Sequence, residues 1–338
     1  MITVHARVGG RVVEQPLALG EPLPPNTVWI DLLRPDEAER AHVGAVTGCD
    51  LPTREEMKEI EASSQLYTEG EAVYLTSSVI ARADSPMPEQ GEVTFVLTPR
   101  HMITVRFTEP RSVATFAART SRQPELLASA EDALLGILDA VIDRVADVLE
   151  LIGARIDGLS ARIFTDSLNS GGFGGGGSGG SGRAAKKPDE LQDVLRGIGR
   201  AGDLTHKVRD SLAGLDRLVA FLSSVAAGRL TKEQKVALKT LTRDLRSLNE
   251  HAGFLAHEAN FLLDATLGLI NIEQNAIIKI FSVVSVALMP PTLIASAYGM
   301  NFHHMPELDW DFGYPMAIVM MVLSAVVPLW YFRRRGWL

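Results

Sequence analysis

Two stretches near the C-terminal end constrain this chain more than anything else in it. Residues 280–298 and 314–332 are each 19 residues long and contain no Asp, Glu, Lys or Arg. A helix crossing a bilayer needs about 20 apolar residues, so both qualify as membrane spans. Pro290, Pro291, Pro315 and Pro328 do not argue otherwise, because transmembrane helices tolerate proline. The mean hydropathy of the chain is positive although 22% of its residues are charged. Apolar residues gathered at one end produce that combination.

Flanking charges give an orientation. Arg333, Arg334 and Arg335 follow the second span, whereas residues 301–313 carry Glu307, Asp309 and Asp311 and no Lys or Arg. The positive-inside rule then puts both termini in the cytoplasm and the short acidic loop outside. Trp310, Trp330, Tyr331 and Trp337 sit near the span ends as an aromatic belt. Residues 1–20 carry Arg7, Arg11 and Glu14 and no apolar core of a signal peptide, so the N-terminal part is expected to stay on the side where it is made.

The remaining composition excludes several classes. The 338 residues include 33 Lys and Arg against 41 Asp and Glu, a net charge of −8. That balance argues against a general nucleic-acid binder. One cysteine, Cys49, excludes an intrachain disulfide framework and a multi-cysteine zinc site. It reads as a buried structural thiol in a reducing compartment. No nucleophile–base set, phosphate loop or HExxH is present, so no enzyme is expected.

Residues 1–122 read as a cytoplasmic α/β domain. Residues 2–8 and 11–17 alternate around Gly9-Gly10, a hairpin signal. Residues 28–33, 72–81 and 92–107 are further strand candidates, the last broken by Pro99-Arg100-His101. Residues 35–46 and 52–61 look helical, each with an early proline and acidic residues in the first turn. From Pro124 to about Leu168 the pattern is helical and acidic. Asp139, Asp143 and Asp147 fall four apart on one face, either as a solvated row or as a weak Mg²⁺ site shared with a neighbour. Nine glycines fall within residues 171–182, so residues 169–188 form a linker at the tip of a helical hairpin. Helix resumes near Asp189, with Gly228 a C-cap, Thr231 an N-cap and Gln234 at the capping-box position. Residues 123–276 thus form a hairpin and stalk. From Thr231 to Tyr298 nothing breaks a helix before the double proline, giving roughly 100 Å of helix at 1.5 Å per residue. A lone helix of that length calls for a bundle of copies.

A polar stripe runs along that helix. On an ideal helix Asp264, Asn271, Asn275, Ser282, Ser285, Met289, Thr292 and Ser296 fall within an arc of about 120°. Most of the remaining surface of residues 277–298 is Ile, Val, Leu, Ala and Phe. Packing through small polar residues would account for the serines alone. It does not account for Asp264, Asn271 and Asn275, which extend the same face toward the cytoplasm. The stripe reads as a water-lined axial path. Two spans per chain cannot enclose one, so a homo-oligomer follows.

The first span ends in Tyr298-Gly299-Met300-Asn301. Then come Phe302, Met305-Pro306-Glu307-Leu308, Gly313-Tyr314-Pro315 and a basic-Gly-Trp-Leu tail over residues 335–338. This set resembles the CorA family of divalent-cation transport proteins, whose signature is Gly-Met-Asn at the end of the first of two C-terminal spans. The resemblance covers the last ~65 residues closely. It implies an α+β membrane protein of the bacterial inner membrane, a funnel-shaped homopentamer held among membrane lipids, with N-terminal α/β domains, a long helical stalk and two C-terminal transmembrane helices. Residues 277–300 would line the pore, 301–313 form the periplasmic loop, 314–333 the second span and 334–338 a cytoplasmic tail. Gly299, Met300 and Asn301 would be the selectivity filter. Asn275, Phe281, Met289 and Thr292 match pore positions, and Asp264 an acidic position at the cytoplasmic entrance. Phe281 replaces a smaller aliphatic residue, and Pro291 is a second proline where the family motif has one.

The same resemblance implies passive Mg²⁺ influx, with Co²⁺ or Ni²⁺ as accompanying ions and no organic cofactor. Cytoplasmic Mg²⁺ bound between subunits would favour closure, with Met289 and Phe281 as dewetting rings. Asn301 would hold the ion, and Glu307, Asp309 and Asp311 would concentrate cations at the mouth. The alternative is a ZntB-type zinc transporter, with or without proton coupling. Met300 favours the first reading, and His303-His304 slightly favours the second. A membrane-anchored sensor that conducts nothing is the rival from another class, and the polar stripe argues against it.

Overall fold

The computed structural model describes residues 1–59, 61–85, 88–170, 188–300 and 310–337. The chain divides into two compact units, one formed by residues 1–173 and 193–262, the other by residues 174–192 and 263–338.

The first unit begins with β1 (Ile2–Val8) and β2 (Arg11–Pro16), an antiparallel hairpin. Gly9 and Gly10 turn it with φ of 58° and 80°. A two-residue turn whose twist matches the strands needs positive φ at both positions, which glycine adopts without a steric penalty. β3 (Thr27–Leu33) and α1 (Glu37–Thr47) follow. Asp36 caps α1 by accepting from the Glu39 backbone N–H, while Glu39 reaches back to the Asp36 N–H. The helix ends at Gly48 in the left-handed conformation.

Residues 52–61 depart from the expected helix. Among the described residues they hold a 3-10 turn, Glu56–Lys58, before the one-turn α2 (Ala62–Gln65). Thr53 and Glu56 exchange hydrogen bonds that close this turn, and Met57 is buried. The segment has a helix start signal and too few apolar positions to carry a helix further. β4 (Leu66–Glu69), β5 (Ala72–Ala81), β6 (Glu89–Leu97) and β7 (Met102–Arg106) complete one seven-stranded sheet, ordered β2-β1-β3-β7-β6-β5-β4. Only β3 and β7 are parallel.

Both faces of the sheet are covered. Val4, Ile30, Leu32, Tyr74, Val96, Ile103 and Val105 bury against Val43 of α1 and against Leu51 and Met57. The opposite face meets α3 (Arg111–Arg122), α4 (Ala130–Ser170) and α5 (Pro188–Val225). There Trp29 packs at 5.2 Å on Phe116 of α3, and Gly214 of α5 admits Ser77 of β5. That second face carries a buried polar cluster. Arg106 grips Asp31 with two nitrogens at 2.7 and 2.9 Å, and Thr104 donates to the same carboxylate. Trp29 Nε1 donates to Thr104 at 3.1 Å. A buried charge is tolerable because its partner and its hydrogen bonds are all present.

Helix from Pro124 onward is interrupted. Residues 124–127 form a 3-10 turn, and α4 starts afresh at Ala130 with Ser129 accepting from the Asp132 N–H at 3.0 Å. Gly228 is not the C-cap expected of it. α5 stops at Val225, and Gly228 is absent from the positive-φ glycines. The turn is closed instead by the Arg229 and Leu230 N–H groups on the Ala226 carbonyl. Thr231 and Gln234 do form the reciprocal capping box of α6 (Lys232–Tyr298), which is 67 residues long. Gln234 Nε2 also donates to Asp132 at 2.8 Å, tying the start of α6 to α4.

The N-terminal half of α6, whose length calls for partners, finds part of its cover within its own chain. Leu238, Leu241, Leu245, Ala252, Leu255, Ala259 and Leu262 are all buried within the chain. They follow a 3-4 spacing that gives a continuous seam. Leu255 reaches Gly153 of α4, and Phe261 stacks on Phe164 of α4 at 6.2 Å.

The second unit contains the C-terminal part of α6 and α7 (Gly313–Arg334). The most apolar windows of these two helices are only 11% and 6% buried inside the chain. A soluble core helix would be mostly covered. These two present their apolar side chains outward, as lipid-facing or copy-facing surfaces do.

Candidate ion-conducting site

Two prolines sit inside α6 at positions 290 and 291. Neither has an N–H, so the carbonyls of Val286 and Ala287 lose their ordinary donors four residues on. The helix nevertheless continues to Tyr298. Thr292 Oγ1 donates to the Leu288 carbonyl at 2.7 Å, a local back-bond that satisfies the hydroxyl within the helix.

The polar stripe is part of the exposed surface of this segment, beside exposed apolar side chains such as Val284, Leu288 and Leu293. Asp264, Asn271, Asn275, Ser285, Thr292 and Ser296 are exposed, and Ser282 is half-buried. Phe281 and Met289 are each 68% exposed. Ser285, Met289, Thr292 and Ser296 line one open groove of about 430 Å³, flanked by Leu288 and Leu293. Four stripe positions therefore share one surface. Val283 and Ala287 are buried in the same segment, and they project on the side away from the groove. The groove face is among the surfaces left without cover in the single chain.

The helix end carries Gly299 and Met300. Gly299 N–H bonds to the Ala295 carbonyl at 2.9 Å, and Met300 N–H reaches the Ala297 carbonyl at 3.4 Å. A Cβ at Gly299 would lie 3.0 Å from the Ala295 oxygen, closer than ordinary van der Waals contact. Met300 is exposed. Asn301, His303, His304, Glu307 and Asp309 lie outside the described residues; Asp311 is described and is exposed.

The basic end of α7 is organised by the aromatic residues beside it. Arg334 lies over the Trp330 ring at 5.0 Å and Arg335 over Tyr331 at 5.6 Å. Phe332 stacks on Trp337 at 5.3 Å. Both cation–π pairs are four residues apart, neighbours on a helix surface. The sequence shows the belt and the arginines separately, and that spacing is the signal that joins them.

The acidic row on α4 is held by arginines. Arg119 contacts Asp139 at 3.1 Å and Asp143 at 3.5 Å, and Arg144 contacts Asp147 at 3.6 Å. Partial burial and the neighbouring Asp139 raise the Asp143 carboxyl above its ordinary pKa. Among the described residues no group of three His, Cys, Asp or Glu side chains comes together as a metal cage. Within the chain the row is arginine-paired.

An α/β domain, a long helix whose uncovered apolar C-terminal part bears a polar groove, and one further uncovered apolar helix define a two-span membrane transporter. The chain belongs to the CorA-like Mg²⁺ transporter protein family, whose model matches residues 26–174 and 184–334. It is 36% identical over 313 residues to the magnesium transport protein CorA of Escherichia coli (strain K12), covering 93% of this chain and 92% of that protein. Its fold is similar to the complete CorA magnesium transporter from Methanocaldococcus jannaschii, with a TM-score of 0.74 at 16% identity over 100% of this chain and 99% of that one. The ZntB cytoplasmic domain from Vibrio parahaemolyticus is a more distant likeness, with a TM-score of 0.57 at 10% identity over 80% of this chain and 97% of that one. That last likeness concerns the fold alone. The family is one of transporters, not enzymes.

Proposed function

We propose that this chain carries Mg²⁺ across the bacterial inner membrane as a homopentamer, with the grooved face of α6 turned to a central path. The observation that carries the reading is the exposed groove of Ser285, Met289, Thr292 and Ser296 in a chain 36% identical to a magnesium transport protein along nearly its whole length. The zinc reading has the His303-His304 pair and the distant ZntB fold likeness behind it, and the magnesium reading is preferred. In this reading residues 277–300 line the pore, residues 301–313 form the outer loop and both termini are cytoplasmic.

The chemistry follows from the ion. Mg²⁺ is small and gives up its water reluctantly, so a selective mouth binds the hydrated ion. Five Asn301 amide oxygens accept hydrogen bonds from its water ligands, and a neutral ring holds the ion without trapping it. Gly299 and Met300 shape that mouth. Glu307, Asp309 and Asp311 raise the local cation concentration, an effect that salt screens. Below the mouth, Thr292, Ser285, Ser282 and Asn275 keep the path wet. Met289 and Phe281 close it by dewetting, and Asp264 receives the ion at the cytoplasmic end. Transport is passive influx, shared by Co²⁺ and Ni²⁺. Cytoplasmic Mg²⁺ slows it by binding the closed state more tightly than the open one.

Purified protein in liposomes tests this. Mg²⁺ uptake without a proton gradient is the expected result; Zn²⁺ uptake that requires one would replace the magnesium reading. Asn301→Ala should abolish Mg²⁺ uptake in a pentamer that still assembles, because alanine removes the water acceptors. Wild-type uptake by that variant would leave Asn301 as a helix cap.

A further inference from the structure

The start of α6 carries a second site-like feature, far in sequence from the spans and wholly within the first unit. A cavity of about 710 Å³ opens between the end of α5 and the first turns of α6. Ala227 and Val236 give its wall exposed apolar surface, with the buried Leu230 and Leu238 behind them, and Ser223 adds a hydroxyl. Its rim is Lys235, Lys239, Arg243 and Arg246. Spacings of four, four and three put these cations on one side of α6 within about 16 Å.

No carboxylate lines this cavity. Arg243 and Arg246 meet Asp244 at 3.7 Å and Glu250 at 3.4 Å, both long contacts at exposed side chains that neutralise little. Among the described residues Lys235 and Lys239 have no ion-pair partner. Like charges four apart destabilise a helix, so the row favours a counter-charge in the groove. A monovalent counter-ion would offset one cation and leave the apolar wall wet. Several phosphates on a compact molecule match both the number of cations and their spread, because guanidinium and ammonium groups bind phosphate oxygens through charge-assisted hydrogen bonds.

We infer that this groove binds a small anion carrying two or more phosphates, its phosphates on Lys235, Lys239, Arg243 and Arg246 and its apolar part against Ala227 and Val236. The inference stands apart from the transport reading, since it concerns a binding equilibrium and not ion flux.

Calorimetry on the full-length protein in detergent without Mg²⁺ tests it, with inorganic triphosphate and ATP as probes. Saturable binding with a dissociation constant at or below about 1 mM is expected, weakening as salt is raised. ATP should bind more tightly than triphosphate because its apolar part meets the wall; equal affinities would overturn that part of the inference. Lys235→Gln with Lys239→Gln keeps most of each stem and removes both charges, and should weaken binding about tenfold or more. The paired Lys→Arg variant should restore it, and Arg196→Gln, elsewhere on α5, should leave it unchanged. Absence of saturable binding by either probe, or equal binding by the glutamine variant, overturns the inference. So does loss of the oligomer in the glutamine variant, which would assign the basic row to carboxylates of a neighbouring copy.

Discussion

Among single residues, His5 shows how the fold sets a side chain's chemistry. It is buried, stacks on Trp29 at 4.0 Å, and its Nδ1 has no partner among the described residues. Burial lowers its pKa from 6.5 to about 4, against the pull of Asp31. Between those values the unfolded chain binds a proton that the folded chain refuses. The stability from keeping His5 neutral is therefore fully present above about pH 6.5 and is lost as pH falls toward about 4, by up to about 3 kcal/mol. His5→Phe keeps the stack and removes the titration. Urea midpoints measured from pH 7.5 to 4.5 should fall less steeply for the variant; parallel curves would show that His5 is not the group responsible. Asp31 and Arg106, the buried pair beside it, remain in both proteins and provide the common background.

For the elements, contact between helices depends on glycines placed where side chains must enter. A Cβ on Gly136 of α4 would meet the Phe116 ring at 2.6 Å, and Phe116 is fully buried against Trp29. Gly136→Val should cost about 1–3 kcal/mol by overpacking, read as a lower thermal midpoint, whereas Gly158→Ala, with nothing within 4 Å of its Cβ position, should raise the midpoint through the roughly 0.5–1 kcal/mol that alanine gains over glycine inside a helix. The N-terminus of α6 depends on its cap. Thr231→Ala removes the hydroxyl that accepts from the Gln234 N–H and should cost about 1 kcal/mol. An unchanged midpoint would mean that the Gln234–Asp132 bond alone fixes this end. The hairpin, the capping box and the uninterrupted α6 were legible in sequence because each depends on local chemistry. The 3-10 turns at 56–58 and 124–127 were not, because a start signal says nothing about whether enough apolar side chains follow to sustain a helix.

For the whole molecule, the uncovered groove on α6 has meaning only in an assembly. In the proposed pentamer five Met289 side chains meet across the path and exclude water. Met289→Ser should then wet the constriction and raise Mg²⁺ flux at cytoplasmic Mg²⁺ levels that close the wild type. Flux that stays fully suppressed in proteoliposomes would move the gate elsewhere. Native mass spectrometry of the wild type should give five copies, and any other number would change which side chains face one another.

Sequence alone determined that two C-terminal helices are membrane spans, because an uncharged run of bilayer length has few other fates. It also determined the family, through the motifs around residues 298–315, and it placed Asp264, Met289 and Thr292 on one helix face, because 3.6-residue periodicity is local geometry. Tertiary structure decided what covers each face. Leu238, Leu245 and Leu255 turn out to be sealed by the chain's own α4 and neighbouring helices. Ser285, Met289, Thr292 and Ser296 are left bare. Arg119 and Arg144 close on the Asp139–Asp143–Asp147 row, which reads in sequence either as a solvated face or as a weak metal site. Periodicity fixes where side chains point, but burial and ion pairing depend on residues far away in sequence, which only the packed chain brings into contact.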